Sequence, residues 1–85
     1  MDEVKMPQYK SHKIVSALKI LNVTNHNDGS ATITPVEHGY SPFAVNANYV
    51  KKHSPVEDGY YVVYEGGYES FSPTEAFESG YTRID

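Results

Sequence analysis

The chain has no cysteine, no tryptophan, only two leucines (Leu18 and Leu21), and fewer basic residues than acidic ones. Without cysteine there is neither a disulfide framework nor a thiolate–zinc site, which excludes the disulfide-rich secreted class and suits a reducing compartment. No stretch approaches the roughly 20 apolar residues of a membrane span, and the opening MDEVKMPQYK has no apolar run of signal-peptide length. A soluble cytoplasmic protein is therefore expected. The 7 basic residues against 11 acidic ones leave a net charge of −4. A general nucleic-acid surface, which needs a basic patch, is excluded on that ground. Only Lys51-Lys52-His53 and the stretch from Lys10 to Lys19 are locally basic. Acidic residues gather late, at Glu57, Asp58, Glu65, Glu69, Glu75, Glu78 and Asp85, as a solvated acidic face would.

What the chain has instead is tyrosine. Eight Tyr join three Phe in 85 residues, a length that allows one small domain. Tyrosine brings a large apolar body with a polar tip, so a small core can be built from side chains whose ends still reach water. Glycine–tyrosine pairs recur at Gly39-Tyr40, Gly59-Tyr60, Gly67-Tyr68 and Gly80-Tyr81.

Residues 1–8 read as a flexible leader and 9–85 as a single small domain. From Lys10 to Val23 two periods compete. Ile14, Val15, Leu18 and Leu21 have helical spacing, while Ser16, Leu18 and Ile20 alternate with Val15, Ala17, Lys19 and Leu21 as in a strand. The turn residues Asn27-Asp28-Gly29 and the β-branched run that follows favour the strand, with Lys19–Thr24 paired to Ser30–Thr34. Residues 36–42 read as a loop, and Phe43 to Val45 is too short to classify. Asn46 caps a short helix from Ala47 to His53, with Tyr49 and Val50 inward, and Ser54-Pro55 ends it.

Tyr60 to Tyr64 and Tyr68 to Phe71 form a hairpin about Gly66-Gly67. A two-residue loop there sets Phe71 opposite Val62, both in a core beneath Phe77. Ser72-Pro73-Thr74-Glu75 fits a capping box for a second helix, ended by a left-handed Gly80, with a last short strand from Tyr81 to Ile84. The fold class is α+β: a small antiparallel sheet built from hairpins with two short helices.

Chemistry-bearing patterns are sparse. His12, His26, His38 and His53 share no metal-ligand spacing, so no metal site and no cofactor is expected. Ser70 and Ser72 lack a nucleophile-elbow pattern, and no carboxylate pair is placed by a motif, so the chain does not read as an enzyme. Gly66-Gly67 is a hairpin turn and not a phosphate loop. Tyr61 and Tyr68 lie on the hairpin face left without an assigned cover, which another sheet layer or a partner subunit would fill. They are the candidate binding residues, since exposed tyrosines concentrate interface energy. Lys51, Lys52 and Arg83 are the candidate phosphate partners of a nucleotide pocket between subunits.

YKSHKIVSALKI at 9–20 and YVKKHSPVEDGYYVVYEGGYESFSPTEAFESGYTRI at 49–84 resemble a group of short uncharacterised proteins of tailed phages and prophages. Their hallmark is a Gly-Tyr-Tyr-Val-x-Tyr hairpin, then Ser-Phe/Trp-Ser-Pro, then Phe-Glu-x-Gly-Tyr. A looser similarity is to PGDYG-type phage domains. The resemblance implies an accessory phage protein in the cytoplasm of an infected or lysogenic host, and carries no catalytic residue. The first expectation is a non-enzymatic protein that binds and modulates a host protein, for example in counter-defence. The alternatives are an oligomer that sequesters a nucleotide signal and a minor structural component of the virion.

Overall fold

A computed structural model describes residues 6–10 and 14–84. Its elements run β1 (Gln8–Lys10), β2 (Ile14–Asn25), β3 (Ala31–Pro35), β4 (Phe43–Val45), α1 (Ala47–His53), β5 (Tyr60–Val63), β6 (Glu69–Ser72), α2 (Thr74–Gly80) and β7 (Thr82–Arg83). The α+β class and the hairpin-built antiparallel sheet are as expected, and every strand pairing is antiparallel.

The 12-residue β2 organises the molecule. One of its edges takes β1 along its first half and β3 along its second, and the other edge takes β5. β7 adds outside β1, β6 outside β5, and β4 outside β3. Strand β2 thus serves two sheets, β7–β1–β2–β5–β6 and β2–β3–β4, and passes between them through a bulge. Ile20 pairs with Pro35 and Asn22 with Thr34, leaving Leu21 as the extra residue. A bulge lets a strand change direction and face together. Before it Ile20 points into the space between the sheets; after it Val23 does.

Two cores result. The first, between the sheets, holds Ile20, Ala31, Ile33, Val45, Tyr49 and Tyr61, with Val23, Phe43, Val50 and Phe71 packed around them. The second, under α2, holds Val15, Ala17, Tyr60, Val62 and Phe77, flanked by Tyr9, Tyr64 and Tyr81. β5 lies between them, so Tyr60 and Val62 enter one core and Tyr61 the other. A strand covered on both faces reads as a continuous apolar run, which is what Tyr60-Tyr61-Val62-Val63 is. Each large side chain so buried stabilises the fold by about 1.5–3 kcal/mol.

The first hairpin and α1 form where expected. Asn25 pairs with Ala31 across the turn at 27–29. Asn46 Oδ1 accepts the Tyr49 N–H at 2.8 Å, and Ser54 before Pro55 leaves the helix in the left-handed region (φ 47°, ψ 60°).

Four expectations are corrected. The β5–β6 loop has three residues, 65–67, closed by Gly67 N–H to Tyr64 C=O and Tyr64 N–H to Tyr68 C=O, both 2.9 Å. Gly66 and Gly67 have φ of 93° and 91°, which side chains avoid. The longer loop shifts the register by one, so Phe71 opposes Tyr61 and lies in the first core, away from Phe77. The capping box does not form: Ser72 is the last residue of β6, paired with Tyr60, and Pro73 is the N-cap without a side-chain hydrogen bond. Gly80 is helical, and the chain leaves through an extended Tyr81 whose ring stacks on Phe77 at 4.7 Å. Of the expected leader 1–8, residues 1–5 lie outside the described residues, but Pro7 is buried, its carbonyl accepts the Ala17 N–H at 2.9 Å, and Gln8 pairs with Ser16.

Candidate functional site

Most of the described aromatic rings fall into two sets of contacts. Around α2, Phe77 stacks on Tyr60 (4.2 Å between ring centres) and meets Tyr9 edge-on (4.8 Å). The Tyr60 hydroxyl donates to Glu78 at 2.6 Å, and Lys19 Nζ lies 3.3 Å from the same oxygen. Hydrogen bonding from Tyr60, then from Lys19, holds the Glu78 carboxyl below its usual range. Burial, reinforced by the bond to Glu78, raises the Tyr60 phenol above its usual range.

The second set runs from the first core out to the surface. Phe43 packs on Tyr61 (4.7 Å), Tyr61 on Tyr49 (5.9 Å), Tyr49 on His53 (4.9 Å), His53 on Tyr68 (6.0 Å) and Tyr68 on Tyr64 (6.0 Å). The inner members are held by their tips: the Tyr49 hydroxyl donates to the Ser70 carbonyl at 2.7 Å, and the Tyr61 hydroxyl donates to Glu69. Burial is the first cause of the raised phenol pKa of both.

The outer end is an open groove of about 280 Å³ between α1 and the β5–β6 turn, lined by Asn46, Asn48, Lys52, His53, Tyr68 and Glu69 among others. Lys52 Nζ sits 5.2 Å above the Tyr68 ring, a cation–π contact. The Tyr68 hydroxyl and His53 Nε2 are 3.5 Å apart, at the limit of a hydrogen bond. The groove offers a ring, a cation and amides: means of contact.

The candidate residues are therefore divided. Tyr68 is about half exposed (49%) and Lys52 stands over it. Lys51 is exposed on the same helix. Tyr61 is buried, 8% exposed, and the cover expected from a further sheet layer or a partner comes from β3, β4 and α1 of its own chain. Arg83 lies on β7, at the opposite edge of its sheet from β6 and α1, and makes a two-pronged ion pair with Glu37, both contacts 3.0 Å. The three cations expected around a nucleotide do not meet within one chain.

His26 bonds Thr32 at 2.8 Å, and His12 lies outside the described residues. No group of three or more His, Asp or Glu positioned to hold a metal occurs among the described residues. No helix among them is long and apolar enough to cross a membrane. The residues missed from sequence are Tyr49 and His53 as links of the aromatic run. Their i, i+4 spacing on a capped helix was the available signal.

No family model and no curated relative matches the chain. Among solved structures, the NMR solution structure of the monomeric form of the phage L decoration protein is similar to it, with 32% sequence identity and a TM-score of 0.70. The match covers 91% of this chain and 58% of that one, so the chain is similar in sequence and fold to part of a phage protein.

Proposed function

We propose that the chain is a structural, non-enzymatic component of a phage particle, of the decoration type, which seats on the outside of an assembled capsid. The observation that carries this reading is the 32% identity with the phage L decoration protein, sustained over 91% of this chain at a TM-score of 0.70. It supports the virion-component alternative better than the host-modulating one, and a location on the particle better than one in the host cytoplasm. The host-binding reading drew on two uncovered tyrosines. With Tyr61 buried, Tyr68 alone remains, and a hot spot needs a cluster. The nucleotide reading has less support: within one chain Arg83 is at the far sheet edge from Lys51 and Lys52 and is paired with Glu37.

The test uses particles of the phage that encodes the chain. Mass spectrometry of purified particles is expected to find the protein in many copies. Capsids from a gene deletion are expected to take up the recombinant protein saturably and carry it down on sedimentation. A protein absent from the particles and left in the supernatant by deletion capsids would overturn the reading.

A further inference from the structure

The solvent side of the β2–β3–β4 sheet is unlike the rest of the surface. Val23, Ala31, Ile33, Pro35 and Val45 point inward, towards the first core or buried beside it. By alternation Asn22, Thr24, Thr32, Thr34 and Ala44 point outward. They lie in cross-strand rows, Asn22 beside Thr34, and Thr24 beside Thr32 beside Ala44. Two large apolar residues border them: the bulge residue Leu21, 54% exposed, and Val36, which continues the outward row of β3 at 45% exposed. His26 joins the face through its bond to Thr32.

The five residues of these rows include no Lys, Arg, Asp or Glu, in a chain of which 21% is charged; the first charges along the surface are at its margin, where Lys19 lies opposite Val36 and is paired with Glu78 at 3.3 Å. The nearest carboxylate on the hairpin, Asp28, is at the turn and is occupied by Ser30. Threonine suits a strand for its own sake. That preference explains neither the exposed Leu21 and Val36 nor the lack of the lysines that usually guard an exposed sheet. Depletion of charge with apolar residues left in water is the compositional mark of an interface centre.

We infer that this outward face of β2–β3–β4 is the surface by which the protein lies on its capsid, and that it takes an uncharged patch of the shell; this rests on the decoration reading above. With six residues of β2, five of β3 and three of β4, at about 3.3 Å per residue and strands about 4.8 Å apart, the face presents roughly 220 Å² in plan. Stable pairs of proteins need about 800 Å² from each partner, so the face is too small to hold a second copy of this chain by itself. A shell that repeats its sites and extends past the rim of the sheet suits a face of this size. A nucleic acid or an anionic lipid surface does not, since the rows hold no cation to meet a phosphate and Lys19 at their margin is paired with Glu78.

The experiment is sedimentation of the full chain with deletion capsids, for wild type, Thr24→Glu, Thr34→Arg and Ser79→Lys. Ser79 is exposed on α2, beyond the other sheet. Thermal midpoints by circular dichroism confirm folding, and Ala44→Glu replaces either face variant if its midpoint falls. A charge buried without a partner is expected to weaken binding about a hundredfold whichever its sign, with Ser79→Lys binding as wild type. Wild-type affinity is expected to change less than about threefold between roughly 0.05 and 0.5 M salt. Face variants that bind like wild type would overturn the face and leave the decoration reading standing. Tighter binding by Thr34→Arg, or a steep salt dependence, would overturn the uncharged partner. Wild type that stays in the supernatant would overturn the decoration reading and this inference with it.

Discussion

Alanine in place of Tyr61 and of Tyr68 separates core from surface most sharply. Tyr61 is 8% exposed and lies against Phe43 and Tyr49, while Tyr68 is 49% exposed and its contacts are with His53, Tyr64 and Lys52. Removing a buried ring of this size costs about 3–5 kcal/mol in lost transfer energy and residual cavity. A domain of this length has about 4–13 kcal/mol in all, so Tyr61→Ala removes a large share. At about 4–8 °C per kcal/mol, the thermal midpoint is expected to fall by about 12–40 °C. Tyr61→Phe keeps the packing and loses only the bond to Glu69, a loss of about 1 kcal/mol. Tyr68→Ala forfeits a surface cation–π contact and is expected to cost less than about 1 kcal/mol. Far-ultraviolet circular dichroism during urea and thermal unfolding suits the assay, since its signal does not depend on the ring removed. Equal midpoints for the two alanine variants would refute the assignment of Tyr61 to the first core.

Three further outcomes follow from the packing. Gly59→Ala sets a Cβ about 2.2 Å from Phe71 Cε1, so the ring must move; a loss of about 1–3 kcal/mol by urea unfolding is expected, partly relieved by Phe71→Leu. Asn46→Ala removes the cap of α1 and is expected to cost about 1 kcal/mol in the same assay, with Asn46→Asp retaining most of it. Tyr49, Tyr60 and Tyr61 hold their protons above the ordinary value of 10.0, chiefly through burial. Because the folded values lie above the unfolded ones, the stability linked to these groups is complete below that value. It declines as pH rises through the unfolded and then the folded values. Ultraviolet difference titration is expected to show these phenols ionising only with alkaline unfolding, and a single titration of all tyrosines in the folded chain would contradict it.

Local structure was legible where the cause lies within a few residues. The turn at 27–29, the Asn46 cap, the end of α1 at Ser54-Pro55 and the glycine turn before Tyr68 each follow from one side chain or one backbone preference. The loop at 65–67 was misjudged because Gly66-Gly67 suits a two-residue or a three-residue turn. The choice between them belongs to what the strands bury. The three-residue loop puts Phe71 on the same face as Tyr61, against the first core. The capping box at Ser72 failed for a related reason: pairing with Tyr60 holds that residue in the sheet. The competing periods of Lys10–Val23 had a single origin. A strand buried on both faces, and bulged at Leu21, puts apolar residues at intervals of one, two and three.

The sequence alone determined that this would be a small antiparallel α+β domain, rich in tyrosine, without cysteine and with a net charge of −4. Those properties rest on composition, turn chemistry and period two, all readable over short distances. Only the tertiary structure decided which tyrosines are covered, that Arg83 stands across the sheet from Lys51 and Lys52, and that the outward residues of β2–β3–β4 past the bulge are Asn22, Thr24, Thr32, Thr34 and Ala44, none of them charged. A strand's alternation assigns residues to two faces, but which face is covered is settled by strands and helices distant in sequence. Tyr61 is in the core because residues 31–49 fold over it; Tyr68 is exposed because nothing in the described chain does the same for it.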